Sequence, residues 1–264
     1  MAHYRGDTSI ALERYIECAN VWRELQDAYG TADMLLNIVQ LLAPSGDHRE
    51  RARLAGEEAL EIFRSLRDPQ GESLALSSLG MLAMIEGNLE RAAEHHVASL
   101  TLFREIEDAA GEARALGSLG LLALDRGDLH EAAEQLSSAL HLAIKLDEQD
   151  ASAYWLEGLA ALRLVEKDHR RSAHLYGAVE ALRDRIEIPR PPELRARFAM
   201  NMGVLREHLG ASFEPDYAAG RALSPGQAMS GALARASPVE GVASTTSALR
   251  SLDDLLGFVS TREQ

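Results

Sequence analysis

Residues 73–93 read SLALSSLGMLAMIEGNLERAA, and residues 113–133 read ARALGSLGLLALDRGDLHEAA. The two stretches are copies of one pattern 40 residues apart, so that Gly80 returns as Gly120. Within a copy the apolar residues recur at offsets of three and four, the spacing of one face of an α-helix. A period of this length with helical spacing predicts a stack of helical hairpins.

A polar turn divides each copy into two helices. Gly127, in the segment Arg126-Gly127-Asp128, suits the left-handed conformation that ends a helix. We expect Asp128, like Asn88 in the earlier copy, to cap the helix that follows. A single hairpin cannot bury its apolar face, so successive hairpins must stack.

Small residues predict close packing inside each hairpin. Gly80 and Gly120 on the first helices are expected to face Ala92 and Ala132 on the second helices. The absence of large side chains at these positions lets the two helices of a pair approach each other.

The period extends beyond these two copies. Trp22, Phe63 and Phe103 follow one another at intervals of 41 and 40 residues. In the other direction, Lys167 stands 40 residues after the turn glycine Gly127. The repeat therefore covers about residues 15–180.

Composition favours an all-α fold. The 264 residues include 41 Leu and 42 Ala but only 9 Val and 9 Ile, and the first two types lose little conformational freedom in a helix. The net charge of −14 disfavours direct binding of nucleic acid. The sequence has a single cysteine and an N-terminus without an apolar signal segment, which predicts a cytoplasmic protein. It also lacks a long apolar run, so we expect no membrane contact.

The repeated pattern resembles the tetratricopeptide repeat (TPR). That family has a small residue at its eighth position, matched by Gly80 and Gly120, and another at its twentieth. The resemblance is strongest in the copies that begin near Ser73 and Ala113. It implies an all-α, right-handed superhelical solenoid of TPR-like helical hairpins with a C-terminal helical cap.

The C-terminal third carries a second resemblance. Residues 172–183 read SAHLYGAVEALR and are followed by Pro191-Pro192-Glu193 and by GRALS at 220–224. This order is similar to the end of the TPR region in bacterial NB-ARC/LuxR-type transcriptional regulators. The resemblance implies a segment that caps the solenoid. No Walker A motif occurs in the sequence, so the ATPase of such regulators is not expected on this chain.

These patterns divide the chain into five parts. We expect an N-terminal helix or partial repeat in 1–30, the TPR solenoid in 31–186, capping helices in 187–236, a flexible linker in 237–247 and a short amphipathic helix in 248–264. The last helix would carry one apolar stripe, made of Leu249, Leu252, Leu255, Leu256 and Val259.

The sequence offers no catalytic or metal-binding motif. His96 takes a position that the repeat fills with a large apolar residue, so we expect a packed, hydrogen-bonded histidine rather than a ligand. Acidic pairs such as Glu57-Glu58 are expected on solvated faces, and Cys18 is expected as a small buried hydrophobe. The chain is therefore expected to be no enzyme and to need no cofactor and no metal.

The predicted functional surface is a groove along the first helices of the hairpins. The TPR resemblance implies that particular positions of these helices line a concave groove. The candidate partner-binding residues are Leu74, Met81, Met84, Ile85, Arg114, Leu121, Leu124, Asp125, Tyr154 and Leu164.

This groove predicts a non-catalytic TPR interaction module, belonging to or acting with a bacterial signalling or transcriptional regulator. Its partner would be a helix or peptide of another protein, a sibling regulatory domain or the chain's own C-terminal helix. The alternative is a small-molecule inducer-sensing solenoid, which a deep pocket lined by Tyr154 and Trp155 would favour. The first hairpin, which carries Trp22, could also pair with a second copy as a homodimer.

Overall fold

The computed structural model describes residues 8–44, 48–190 and 192–234, which are helical apart from short turns. The predicted linker 237–247 and the predicted terminal helix 248–264 lie outside the described residues. The helices are α1 (Thr8–Glu24), α2 (Ala28–Leu42), α3 (Arg49–Leu66), α4 (Pro69–Ile85), α5 (Leu89–Glu105), α6 (Ala109–Arg126), α7 (Leu129–Lys145), α8 (Gln149–Val165), α9 (His169–Ile186), α10 (Pro192–Leu209), α11 (Phe213–Arg221) and α12 (Pro225–Leu233).

From α1 to α9, each helix packs against the next one along the chain. The even-numbered helices α2, α4, α6 and α8 also contact one another in order, which places them side by side on one surface. We call these the inner helices, and we call α3, α5, α7 and α9 the outer helices. The prediction of an all-α stack of hairpins is confirmed.

The turns that join consecutive hairpins repeat the same backbone geometry. Gln26, Arg67, Glu107, Asp147 and Glu187 each adopt a left-handed conformation, with φ between 54° and 58°. These residues follow one another at intervals of 41, 40, 40 and 40, so the period continues to the end of α9. A left-handed residue at this point lets the helix end and the chain reverse.

The turns inside the hairpins also follow the predicted pattern. Gly127 is left-handed with φ 83° and ends α6, as expected, and Lys167 takes the same conformation with φ 65°. Asn88 caps α5 by accepting a hydrogen bond from the backbone N–H of Arg91. Asp128 stands at the N-cap position of α7, but its side chain accepts no capping hydrogen bond, so the predicted capping by this side chain is wrong. Its backbone angles are close to those of Asp168, whose side chain does cap α9.

Aromatic rings packed on glycines join successive hairpins. A Cβ atom added to Gly71 would lie 2.0 Å from the ring of Phe63, and one added to Gly111 would lie 2.1 Å from the ring of Phe103. Trp22 packs on Gly30 in the same way at the start of the stack. The aromatic residues spaced by 40 and 41 thus mark the contacts between consecutive hairpins.

Inside the hairpins, the glycine contacts differ from the prediction. Ala92 and Ala132 are buried, but the atoms nearest to Gly80 belong to the His96 ring, and those nearest to Gly120 belong mainly to Leu136. The large side chain one turn beyond each alanine therefore fills the space above the glycine. His96 and Leu136 occupy equivalent positions in successive repeats.

The last three helices close the end of the stack. Helix α11 lies along α9, where the backbones cross closely at Gly177 and Gly220. A Cβ atom on Gly177 would lie 2.2 Å from the carbonyl oxygen of Tyr217. Helix α12 contacts α7, α8 and α9, and helix α10 crosses to the inner helices.

The glycine contacts give a testable prediction. Gly111→Ala would drive a methyl group into the fully buried ring of Phe103, and we expect it to lower the free energy of unfolding by about 2–3 kcal/mol. Gly203→Ala is the matched control, because a Cβ atom there meets nothing within 4 Å and alanine favours the helix by about 0.5–1 kcal/mol. Urea denaturation followed by circular dichroism measures both. Equal effects of the two variants would contradict the packing described here.

Candidate functional site

The inner helices place most of the candidate groove residues at a partly open surface, which we call the inner groove. Met81 on α4 is 43% exposed, and Arg114 on α6 is also exposed. Leu124 is instead buried in the core, which leaves it out of the surface available to a partner. The other candidates are half-buried, namely Leu74, Met84, Ile85, Leu121, Asp125, Tyr154 and Leu164.

Helix α10 covers one end of this groove. Leu194, Arg197 and Phe198 of α10 line a small cavity together with Leu121 of α6 and Tyr154 of α8. Its volume of about 20 Å³ holds little more than one water molecule. The part of the groove over α6 and α8 is therefore occupied by a helix of the same chain.

Polar contacts fix α10 in this position. An Arg197 guanidinium nitrogen donates to the Asp125 carboxylate at 2.9 Å. Further along α10, the Asn201 amide donates to the Tyr176 hydroxyl oxygen at 2.6 Å. Burial raises the pKa of Tyr176 to about 12, so its hydroxyl stays protonated at neutral pH.

A buried ionic cluster lies beneath α10. The Glu157 carboxylate on α8 accepts from Arg190 at 2.8 Å and from Arg183 at 3.4 Å, and all three side chains are less than 10% exposed. Arg190 also lies 2.9 Å from Glu180 and places its guanidinium 3.5 Å from the ring centre of Phe198. The cluster ties α8, α9 and the segment before α10 together.

Trp155 and Arg114 both pack at contacts between neighbouring helices, so Trp155 does not line the pocket that the small-molecule alternative would require. Trp155 is 5% exposed, and its ring packs on Gly117 of the neighbouring inner helix. Arg114 lies over the ring of Phe103 at 5.7 Å, at the contact between hairpins. The cavity beside Tyr154 is far below the roughly 300–1,000 Å³ typical of ligand sites.

The titratable side chain of His96 lies in the interior of the protein. His96 is fully buried as expected, but neither ring nitrogen has a hydrogen-bond partner among the described residues, so the hydrogen-bonded part of the prediction is wrong. Burial lowers its pKa to about 4, with a smaller effect of the neighbouring His95. Within the described ranges, no group of three or more His, Cys, Asp or Glu side chains could hold a metal ion.

Several residues that the sequence analysis discussed lie at the surface near the start of the stack. Cys18 is exposed, not buried, because α1, at the start of the described stack, packs mainly against α2 and keeps an open face. Trp22 is half-buried against Gly30, while Val21 and Leu25 beside it are exposed. Glu57 and Glu58 are at the surface in ion pairs with arginines.

Over the parts of the chain with described structure, no helix has the length and apolar character needed to cross a bilayer.

The sequence analysis did not predict that α10 forms a wall of the groove. One feature that indicates it is the apolar spacing of α10, which places four side chains on one helix face: Leu194, Phe198, Met202 and Leu205. A second signal was Glu157, an acid in the repeat position that Ser77 and Gly117 fill elsewhere.

Comparison with known proteins identifies the repeats. The tetratricopeptide repeat family model matches residues 72–145, which span most of α4 to α7. The chain is also similar to the crystal structure of BtubC (BKLC) from P. vanneervenii, with 18% sequence identity over 95% of this chain and 100% of that chain and a TM-score of 0.59. A search of the curated proteins gives no match. These findings confirm the TPR-like helical solenoid; at 18% identity, the structural similarity shows the fold alone.

The buried ionic cluster predicts a large effect of one substitution. Glu157→Ala would leave Arg183 and Arg190 buried without their shared carboxylate, and we expect it to destabilise the fold by about 3–5 kcal/mol. Glu134→Ala removes an exposed glutamate and should change stability by less than about 0.5 kcal/mol. Thermal and urea unfolding of both variants test this, and a Glu157→Ala protein as stable as the control would refute the role given to the cluster.

His96 predicts a pH dependence of stability. Its folded pKa of about 4 lies below the ordinary value near 6.5, so the unfolded chain binds a proton that the folded chain excludes between these two pH values. The contribution of His96 to the free energy of unfolding is complete above pH 6.5. It falls by roughly 3 kcal/mol as the pH drops towards 4.

We expect His96→Leu, which copies the equivalent Leu136, to remove this contribution. Its free energy of unfolding should fall less than that of the native chain between pH 7 and pH 4.5. His130→Leu at an exposed site serves as the control and should keep the native slope. Identical slopes for the native and His96→Leu chains would exclude a neutral buried His96.

Proposed function

We propose that this chain is a non-catalytic interaction module that binds a helix or peptide of a partner protein in the inner groove. TPR-like solenoids generally serve protein–protein interaction and are typically non-catalytic. The observation that supports a helical ligand is α10, because the chain itself lays a helix across α6 and α8. Leu121 and Tyr154 contribute apolar surface there, and Met81 adds exposed apolar surface on α4.

The open part of the groove is suited to apolar contacts. Leu74 and Met84 are half-buried on α4 beside the exposed Met81. Methionine adapts its shape to different apolar surfaces, which suits a docking site for helices. A partner helix would place its apolar face on these side chains and keep its polar face in solvent.

The small-molecule alternative receives no support from the cavity beside Tyr154, which is too small. We also propose, from the resemblance of residues 172–224, that the partner is a domain of a bacterial signalling or transcriptional regulator, in the cytoplasm. The matched family range ends at residue 145, before this segment. This narrower assignment therefore rests on the sequence resemblance.

The groove predicts which surface change weakens binding. A displayed library of amphipathic 18-residue helices is selected on the full chain, and the selected peptides are measured by fluorescence anisotropy. We expect Met81→Asp to weaken them at least 10-fold, because it places a charge on the apolar docking surface.

Val97→Asp provides the matched control. Val97 is 53% exposed on the outer helix α5, so the same change there should leave affinity unaltered. Selected helices that bind Met81→Asp and the native chain equally would exclude the open part of the inner groove as the binding surface. A failure to select any helix would count against the proposed function itself.

A further inference from the structure

We infer that the first half of α10 is a resident ligand in an exchangeable helix site, and that the partner is an amphipathic helix carrying an arginine directly before a large aromatic residue, with an apolar residue one turn earlier. This inference rests on the proposed function and specifies the chemistry of its partner. It follows from how α10 itself is held.

The contacts of α10 define the ligand pattern. Leu194 and Phe198 are four residues apart and therefore share one helix face, which points at Leu121 and Tyr154. Between them in sequence, Arg197 donates to Asp125 at 2.9 Å. The groove thus recognises two apolar side chains and one guanidinium at fixed spacing.

An aromatic residue is favoured at the position of Phe198. The Arg190 guanidinium lies 3.5 Å from the ring centre of Phe198, and the Tyr176 ring meets it edge-on at 5.7 Å. A cation over an aromatic face stabilises this contact, and an aliphatic side chain would lack it. The cluster around Glu157 holds Arg190 in place from below.

The two halves of α10 are anchored unequally. Between residues 194 and 200, no residue is fully buried, and Leu194, Arg197 and Phe198 are half-buried. Asn201, Met202 and Leu205 in the second half are buried. Because local opening costs little where few side chains are buried, the first half can release while the second half stays attached.

The charge of the protein favours a basic helix as the partner that replaces the first half of α10. The chain carries a net charge of −14, and Asp125 is the carboxylate that faces Arg197. A basic partner helix is attracted to such a protein and can form the same ion pair, whereas an acidic helix is repelled. The site therefore suits a basic amphipathic helix.

The first experiment uses the chain's own helix as the probe. A fluorescent peptide of residues 192–209 is titrated into the full chain and into the double variant Arg197→Glu, Phe198→Ala, in which the resident helix is weakened. We expect the variant to bind the peptide at least 10-fold more tightly than the native chain, because the resident helix no longer competes. Equal affinity for both chains would overturn the inference.

A charge exchange tests the contact to Asp125. In the background Arg197→Ala, Phe198→Ala, whose resident helix carries no charge that can pair with residue 125, Asp125→Arg should reduce binding of the native peptide at least 10-fold, and a peptide with Arg197→Asp should restore it. A scrambled peptide and Val97→Asp are the controls. Native-peptide binding that is indifferent to Asp125→Arg would also overturn the inference.

Folding of the variants is checked by circular dichroism. If the double variant loses helicity, Arg197→Glu alone replaces it and should still bind the peptide more tightly than the native chain. The outcome separates the two proposals. Should the 192–209 peptide bind no form of the chain while library-selected helices still depend on Met81, the exchange site is refuted and the proposed function stands.

Discussion

At two successive joints between hairpins of this chain, an aromatic ring of one hairpin lies directly on a glycine of the next. Phe103 on Gly111 and Phe63 on Gly71 leave no room for a Cβ atom, so each ring packs directly against the backbone of the next helix. The ring and the glycine have the same separation in sequence at both joints, so this contact fixes the same offset between the hairpins at each of them. Ion pairs of 2.8 Å repeat beside both contacts, joining Arg64 to Glu72 and Arg104 to Glu112. The regular stack and the inner groove both depend on this offset.

The helices that end the stack also determine how much of the inner groove is open. Helix α11 packs on α9 through a close backbone crossing at Gly177 and Gly220, as another hairpin would otherwise do. The chain between α9 and α11 is then free to cross the inner helices as α10. The chain segment that terminates the solenoid therefore also fills part of its groove, at the site where we propose that a partner helix replaces the first half of α10.

The buried charges are concentrated where α10 crosses the groove. Glu157 binds two arginines at a repeat position where Ser77 and Gly117 stand in the other hairpins. Such a cluster stabilises little by itself, but removing one member leaves unpaired charge in the interior. It therefore specifies one position for the segment before α10 and supports the ring of Phe198.

The sequence by itself determined the helical hairpins, their period of about 40 residues and the turn at Gly127, because these depend on residues close in the chain. It did not determine that His96 lies over Gly80, that Leu124 is buried or that Arg197 reaches Asp125, 72 residues away. Those contacts depend on how the hairpins and the terminal helices pack in three dimensions. Local spacing records which face is apolar, whereas only the tertiary structure decides which surface covers that face.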